Sequence, residues 1–232
     1  MEIQHFYIEQ GSGEPLILLH GNGEDSSYFK GQIGEFSKQY HVYALDTRGH
    51  GQTPRGDAPF TIRQFAEDLK GFMDEKGLKR AHILGFSDGG NIATVFAIKY
   101  PERVMNLILN GANLDASGVK RCYQIPIEIG YKIAKRSAGK SEKAARNAEM
   151  LGLMVNDPNV TVDELSGIKS PTLVLAGTRD MIKKKHTELI ASGIPGAELR
   201  FIKGSHFIAA KKPEEFNRTV LEFLDRHSAL KQ

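Results

Sequence analysis

Short apolar runs recur along the chain, separated by turn residues or by segments with helical spacing. Residues 2–9 alternate roughly as a strand does, Gly11-Ser12-Gly13 permits a tight turn, and 15–19 is a continuous apolar run suited to a buried strand. These two strands predict an opening hairpin. The same short β-rich pattern returns at 41–45, 81–84, 104–109, 172–175 and 198–202. Helical periodicity marks 61–76, 89–99, 183–192 and 213–227; in the last, Phe216, Val220, Phe223 and Leu224 share a face. Strands alternating with helices predict the α/β class, a mostly parallel central sheet flanked by helices, whose ligands sit beyond the carboxyl ends of the strands. Functional residues are therefore expected just after strands. Residues 115–165 break the alternation: they contain no good strand run and predict two or three short helices, inserted in one domain whose core is 1–114 and 166–232.

Composition narrows the possibilities. The 232 residues suit one domain with a modest insertion, and 40% hydrophobic with 25% charged residues is ordinary globular usage. A net charge of +3, from 31 basic and 28 acidic residues, gives no ground for a nucleic-acid partner. Cys122 is the single cysteine, which excludes an intrachain disulfide, and no Cys/His cluster has zinc spacing. The start of the chain has no secretory pattern and no apolar run reaches the ~18 residues of a membrane span. The expectation is a cytoplasmic monomer or homodimer, without stable membrane insertion, acting on a small molecule.

After the strand that ends at Leu84 comes Gly85-Phe86-Ser87-Asp88-Gly89-Gly90, followed directly by a helix. This is G-x-S-x-G in the strand–turn–helix context that gives the motif its meaning, with glycines where a sharp turn leaves no room for side chains. Ser87 then stands at a helix N-terminus, where N–H groups and the dipole favour developing negative charge. A serine hydroxyl is a poor nucleophile at neutral pH and needs a base held by a third group. Of eight histidines, His206 follows strand 198–202 in a short loop and is the best base. His5, His41 and His82 lie in strand patterns, and His186 and His227 in helices. The orienting acid should follow a strand between serine and histidine, as Asp180 does after 172–175. Asp115, after 104–109, is its rival. Two backbone N–H donors are expected for the oxyanion, Asp88 after the nucleophile and Asn22 in His20-Gly21-Asn22-Gly23.

Together His20-Gly21, Asp46-Thr47-Arg48-Gly49-His50-Gly51, the Ser87 elbow, Gly177-x-x-Asp180 and Gly204-Ser205-His206 stand in an order that resembles the α/β-hydrolase fold superfamily over nearly the whole length. The resemblance implies an eight-stranded sheet or a trimmed version, a small helical cap at 115–165, and a Ser87, Asp180, His206 triad with the Asn22 and Asp88 N–H groups as oxyanion hole. It implies no metal or organic cofactor. A serine nucleophile disfavours the related dehalogenases and epoxide hydrolases, which attack through a carboxylate. The loop from His20 to Tyr28 is similar to that of monoacylglycerol lipases but departs at Asp25. Asp88 in Gly-x-Ser-Asp-Gly-Gly is similar to the elbow of hydrolases of amino-acid esters; a solvated acid at a helix N-terminus is the plainer reading.

The 115–150 segment carries eight basic residues against four acidic ones. Solvated helix faces account for such charges; attraction of an anionic substrate or membrane surface is the alternative. Ile125, Ile127, Ile129, Ile133, Leu151, Leu153 and Met154 are candidates for the roof of an acyl pocket or for the cap's own core. The leading expectation is hydrolysis of a small carboxylic ester, lactone or thioester through an acyl-enzyme on Ser87. The alternatives are a carbon–carbon bond hydrolase of the same fold and a small-ligand receptor that keeps the triad.

Overall fold

The computed structural model describes residues 3–227. In chain order the elements are β1 (Tyr7–Gln10), β2 (Glu14–Leu19), α1 (Lys30–Phe36), β3 (Tyr40–Leu45), α2 (Ile62–Glu75), β4 (Ala81–Phe86), α3 (Asp88–Lys99) and β5 (Val104–Asn110). There follow α4 (Arg121–Ser137), α5 (Glu142–Asn156), α6 (Val162–Leu165), β6 (Thr172–Gly177), α7 (Lys184–Gly193), β7 (Glu198–Ile202), α8 (Ile208–Lys211) and α9 (Pro213–His227). Among the described residues the sheet has seven strands in the order β1-β3-β2-β4-β5-β6-β7, parallel except for β1. This is the α/β-hydrolase architecture trimmed by one strand. No helix among the described residues is long and apolar enough to cross a membrane.

The expected opening hairpin does not form. Tyr7 to Gln10 pair antiparallel with β3, and β3 lies between β1 and β2. Leu16 to Leu19 are buried on both faces of the sheet, so β2 gains by having a full neighbour on each side, which β3 and β4 provide. The half-buried β1 is left at the edge. Gly11, at φ +88°, makes the crossing possible: a Cβ there would lie 2.4 Å from the Tyr40 carbonyl oxygen. The expected strand also started at Glu2, which lies outside the described residues.

Alternation along the strands divides the core into two layers. Ile17 and Leu19 of β2 pack with α2, α3 and α7, whereas Leu16 and Leu18 pack with Phe29, Phe36 and the Phe216, Val220, Phe223 face of α9. Helix α1 is absent from the periodicity reading, although Phe29, Ile33 and Phe36 have helical spacing and are buried. The segment between β5 and β6 corrects a second expectation. Its helices are not short: α4 has 17 residues and α5 has 15, packed side by side, and only α6, with 4, is brief. Leu153, Val160 and Leu165 join the same core layer as α2 and α3.

One buried ion pair braces the loop after β3. The Arg48 guanidinium, 1% exposed, donates from Nε to Asp68 Oδ2 and from its second terminal nitrogen to Asp68 Oδ1, both at 2.7 Å, and also to the Arg55 carbonyl oxygen at 2.9 Å. Removing Asp68 strips a buried guanidinium of two charge-assisted hydrogen bonds. Asp68→Ala is expected to cost about 3–5 kcal/mol in denaturant unfolding, and adding Arg48→Met should recover much of the loss. Equal stabilities of the single and double variants would contradict this account.

Candidate active site

The turn between β4 and α3 puts Ser87 at φ +52°, ψ −119°, a conformation that costs a non-glycine residue free energy. Its surroundings impose it. A Cβ on Gly85 would lie 2.2 Å from the Gly89 carbonyl oxygen, and one on Gly89 would lie 2.1 Å from that of Leu19. With bare glycines on both sides the chain folds back tightly, and Ser87 N–H donates to the Asn110 carbonyl of β5 at 2.8 Å. Phe86, immediately before, is stacked on Tyr28 with ring centroids 4.4 Å apart and lies 4.8 Å from the His206 ring. The serine is half-buried.

The loops after β6 and β7 bring the next two residues to it. His206 Nε2 lies 3.0 Å from Ser87 Oγ, and its Nδ1 lies 2.7 Å from Asp180 Oδ1. Asp180 also accepts from the N–H groups of Ile182 at 2.9 Å and Gly177 at 3.2 Å. Burial pushes its carboxyl up, but the hydrogen bond and charge of His206 and the two backbone donors outweigh that and hold it below the ordinary aspartate value. Space here is again kept by glycines: a Cβ on Gly111 would meet His206 Cε1 at 2.7 Å, and one on Gly177 would meet the Ser205 carbonyl oxygen at 2.0 Å. The rival Asp115 goes elsewhere. It accepts from Ser117 N–H at 2.6 Å as a helix cap, beside His186, whose Nε2 accepts from Leu114 N–H at 2.9 Å.

The loop after β2 is held from several sides. Burial lowers His20 to about 4, so the ring is neutral, and a neutral ring can satisfy both its neighbours: Nδ1 donates to the Gly21 carbonyl at 2.7 Å and Nε2 accepts from Thr47 N–H at 3.0 Å. Asp46 joins the same two loops by accepting from Ser26 N–H at 2.7 Å and Gln52 N–H at 2.8 Å. Glu24 accepts from Gly21 N–H at 3.2 Å, and burial raises its carboxyl to about 7. Asp88 is the first residue of α3, where a helix leaves its N–H groups without intrahelical acceptors.

The Asp88 side chain departs from both readings of it. It is buried, not solvated, and burial raises its pKa. Both oxygens are engaged: Oδ2 accepts from Asn22 Nδ2 at 2.8 Å and Oδ1 from Asn91 Nδ2 at 3.2 Å. Asn91 in turn accepts from Asn113 N–H at 2.9 Å. The Asn22 amide makes a second bond, to the Met150 carbonyl of α5 at 2.9 Å, and next to it Glu149 receives a forked pair from Arg55 at 2.6–3.0 Å. Asn22 thus ties the loop after β2 to both the elbow and the inserted helices. Asn91, Asn113, Arg55 and Glu149 were not anticipated. Only Asn91 carries a local signal, a polar amide one helical turn past Ser87 between Gly90 and Ile92. Among the described residues no cluster of His, Cys, Asp and Glu side chains could hold a metal ion.

The expected acyl-pocket roof is also redrawn. Leu153 is part of the main core, and Ile125, Ile129 and Ile133 face solvent on α4.

Comparison with known proteins agrees with this architecture. A family model described as alpha/beta hydrolase fold matches residues 14–129. A 2-hydroxy-6-oxo-6-phenylhexa-2,4-dienoate hydrolase of Comamonas testosteroni is 30% identical, with 94% of this chain and 90% of the relative covered. The human serine hydrolase BPHL is 28% identical over 96% of this chain and 83% of its own. Among solved structures, a thermophilic esterase from Thermogutta terrifontis superposes with a TM-score of 0.82 at 25% identity, covering 97% of this chain and 95% of that one. The sheet, the elbow and these matches together place the chain in the α/β-hydrolase fold family, as a hydrolase.

Proposed function

We propose that the protein is a serine hydrolase that cleaves a small carboxylic ester, lactone or thioester through an acyl-enzyme on Ser87. The observation that carries this reading is the line Asp180–His206–Ser87, with contacts of 2.7 and 3.0 Å. In it, Ser87 Oγ bonds to the substrate carbonyl carbon while His206 Nε2 takes the hydroxyl proton. Asp180, ionised and fixed by two backbone donors, holds Nδ1–H and stabilises the imidazolium. The backbone N–H groups of Asn22 and Asp88 receive the oxyanion, at roughly 2.7–4 kcal/mol of transition-state stabilisation per donor. The tetrahedral adduct collapses, the leaving alcohol takes the proton from His206, and the acyl group stays on Ser87. Water, deprotonated by the same His206, then attacks the acyl carbon, releases the acid and restores the serine.

A second reading, hydrolysis of a carbon–carbon bond beside a ketone, is favoured by the Comamonas relative, whose named substrate is a ketone without an ester. Both chemistries use the same nucleophile and base, so the substrate separates them.

With p-nitrophenyl acetate, butyrate and octanoate, Ser87→Ala and His206→Ala are expected to lower kcat by about 10⁴–10⁶ and Asp180→Asn by about 10⁴. Asp115→Asn should stay within about twofold of wild type. A fluorophosphonate probe should label wild type and not Ser87→Ala. Failure of ester turnover alongside Ser87-dependent cleavage of the dienoate would select the second reading, and inertness to the probe and to both substrates would sink the hydrolase assignment.

Asn22→Ala keeps the backbone donor and removes both contacts of the side chain. It is expected to lower kcat roughly 10- to 100-fold through misplacement of the loop; an unchanged kcat would remove Asn22's side chain from the account. Glu24 gives a pH signature. Its folded pKa of about 7 lies above the ordinary 4.5, so its contribution to stability is complete below about 4.5 and is lost as pH rises through about 7. Glu24→Gln cannot ionise, so its Tm advantage over wild type should be larger at pH 8 than at pH 5; a pH-independent difference would contradict the burial argument.

A further inference from the structure

Helix α4 presents an apolar stripe to solvent. At 100° per residue, Cys122, Ile125, Pro126, Ile129 and Ile133 fall on one side of the helix. Ile125, Ile129 and Ile133 are 40%, 54% and 61% exposed, Tyr123 is 48% exposed, and Cys122 is exposed too. The opposite side, with Gln124 buried and Ile127 and Tyr131 half-buried, packs on α5. The stripe is therefore not the inward face of the helix. It is a second apolar face, on a helix that already has one.

Charge decides what covers it. Arg121, Lys132, Lys135 and Arg136 are exposed on α4, against the single, half-buried acid Glu128. Two copies of the protein packed antiparallel through Ile129 would bring Arg136 of one copy to the Arg121 end of the other, and a parallel pair would set each cation against its own counterpart. Self-association thus opposes like charges, whereas an anionic surface satisfies them. Long Lys and Arg side chains can reach upward to phosphate groups while the isoleucines lie below them at the headgroup–acyl boundary. The helix is also anchored beside the triad. Val119, just before it, bridges to Ile182, and Lys120 Nζ donates to the Asp180 carbonyl oxygen.

We infer that α4 is an interfacial docking helix, which lays Ile125, Ile129 and Ile133 against the surface of an anionic phospholipid bilayer without crossing it. Its first turn lies next to Asp180, so docking brings the triad to the lipid–water boundary. This inference stands apart from the reaction catalysed.

Flotation of the full chain with vesicles tests it. Wild type is expected to float with vesicles of phosphatidylcholine and phosphatidylglycerol, and not with phosphatidylcholine alone. Binding should fall as salt shortens the Debye length from ~30 Å at 0.01 M to ~3 Å at 1 M. The double variants Ile129→Asp/Ile133→Asp and Lys132→Glu/Arg136→Glu should each lower the partition coefficient at least about tenfold. Their melting curves and solution hydrolysis of p-nitrophenyl acetate should match wild type, which separates loss of docking from loss of fold. Absence of phosphatidylglycerol-dependent flotation, or equal flotation of wild type and variants, would overturn the inference. So would a dimer seen by light scattering and abolished by Ile129→Asp/Ile133→Asp, which would assign the face to a second copy. Vesicle binding without ester turnover would leave docking intact and count only against the proposed reaction.

Discussion

The close approach of two backbones at the end of β4 governs the site. Gly89 packs against the Leu19 and His20 carbonyls and Gly85 against Gly89, so the chain has no room to leave the sheet except through a residue in a strained conformation. Ser87 is that residue. The strain is sustained because the strand behind it and the helix ahead of it are both buried, and two core layers clamp them from opposite faces of the sheet. Everything else at the site is arranged around a hydroxyl whose position was already decided by main-chain packing.

The parts that were readable from the amino-acid sequence share a property: they are local. Strand β4, the elbow and α3 follow one another within 19 residues, and a period-2 run turning into a period-3.6 run across a glycine motif is visible without knowing any distant contact. His206 and Asp180 were legible because parallel strands all deliver their carboxyl ends to one edge. What escaped the reading was set by pairing over distance. The partner of β1 is chosen by β2's need for two buried neighbours, which no turn residue reports. The length of α4 and α5 was obscured by Pro126 and by Gly130, Gly139 and Gly152, which resemble breaks in isolation yet sit within or between helices that stabilise each other side by side.

Polar residues around the elbow show the same division. Asp88 could be recognised as an acid beside Ser87, but whether it meets solvent depends on Asn22, 66 positions away, and on Asn91. A buried carboxyl with both oxygens satisfied by neutral amides behaves as a fastener for neighbouring segments. Neutral His20 does the same between the loops after β2 and β3, at the expense of its own ionisation. Several residues that sequence motifs associate with chemistry are thus occupied in holding backbone.

Glu149 and Met150 carry this furthest. Two adjacent residues of α5 attach the inserted helices to the loops after β2 and β3, one through a side-chain carboxylate and the other through a main-chain carbonyl. The carbonyl contact asks nothing of the residue type at 150. A different helical pair could therefore be carried on this sheet if it kept a carboxylate opposite Arg55 and an apolar side chain at the buried position of Leu153, while position 150 stayed free to vary with Ser87 still in its turn.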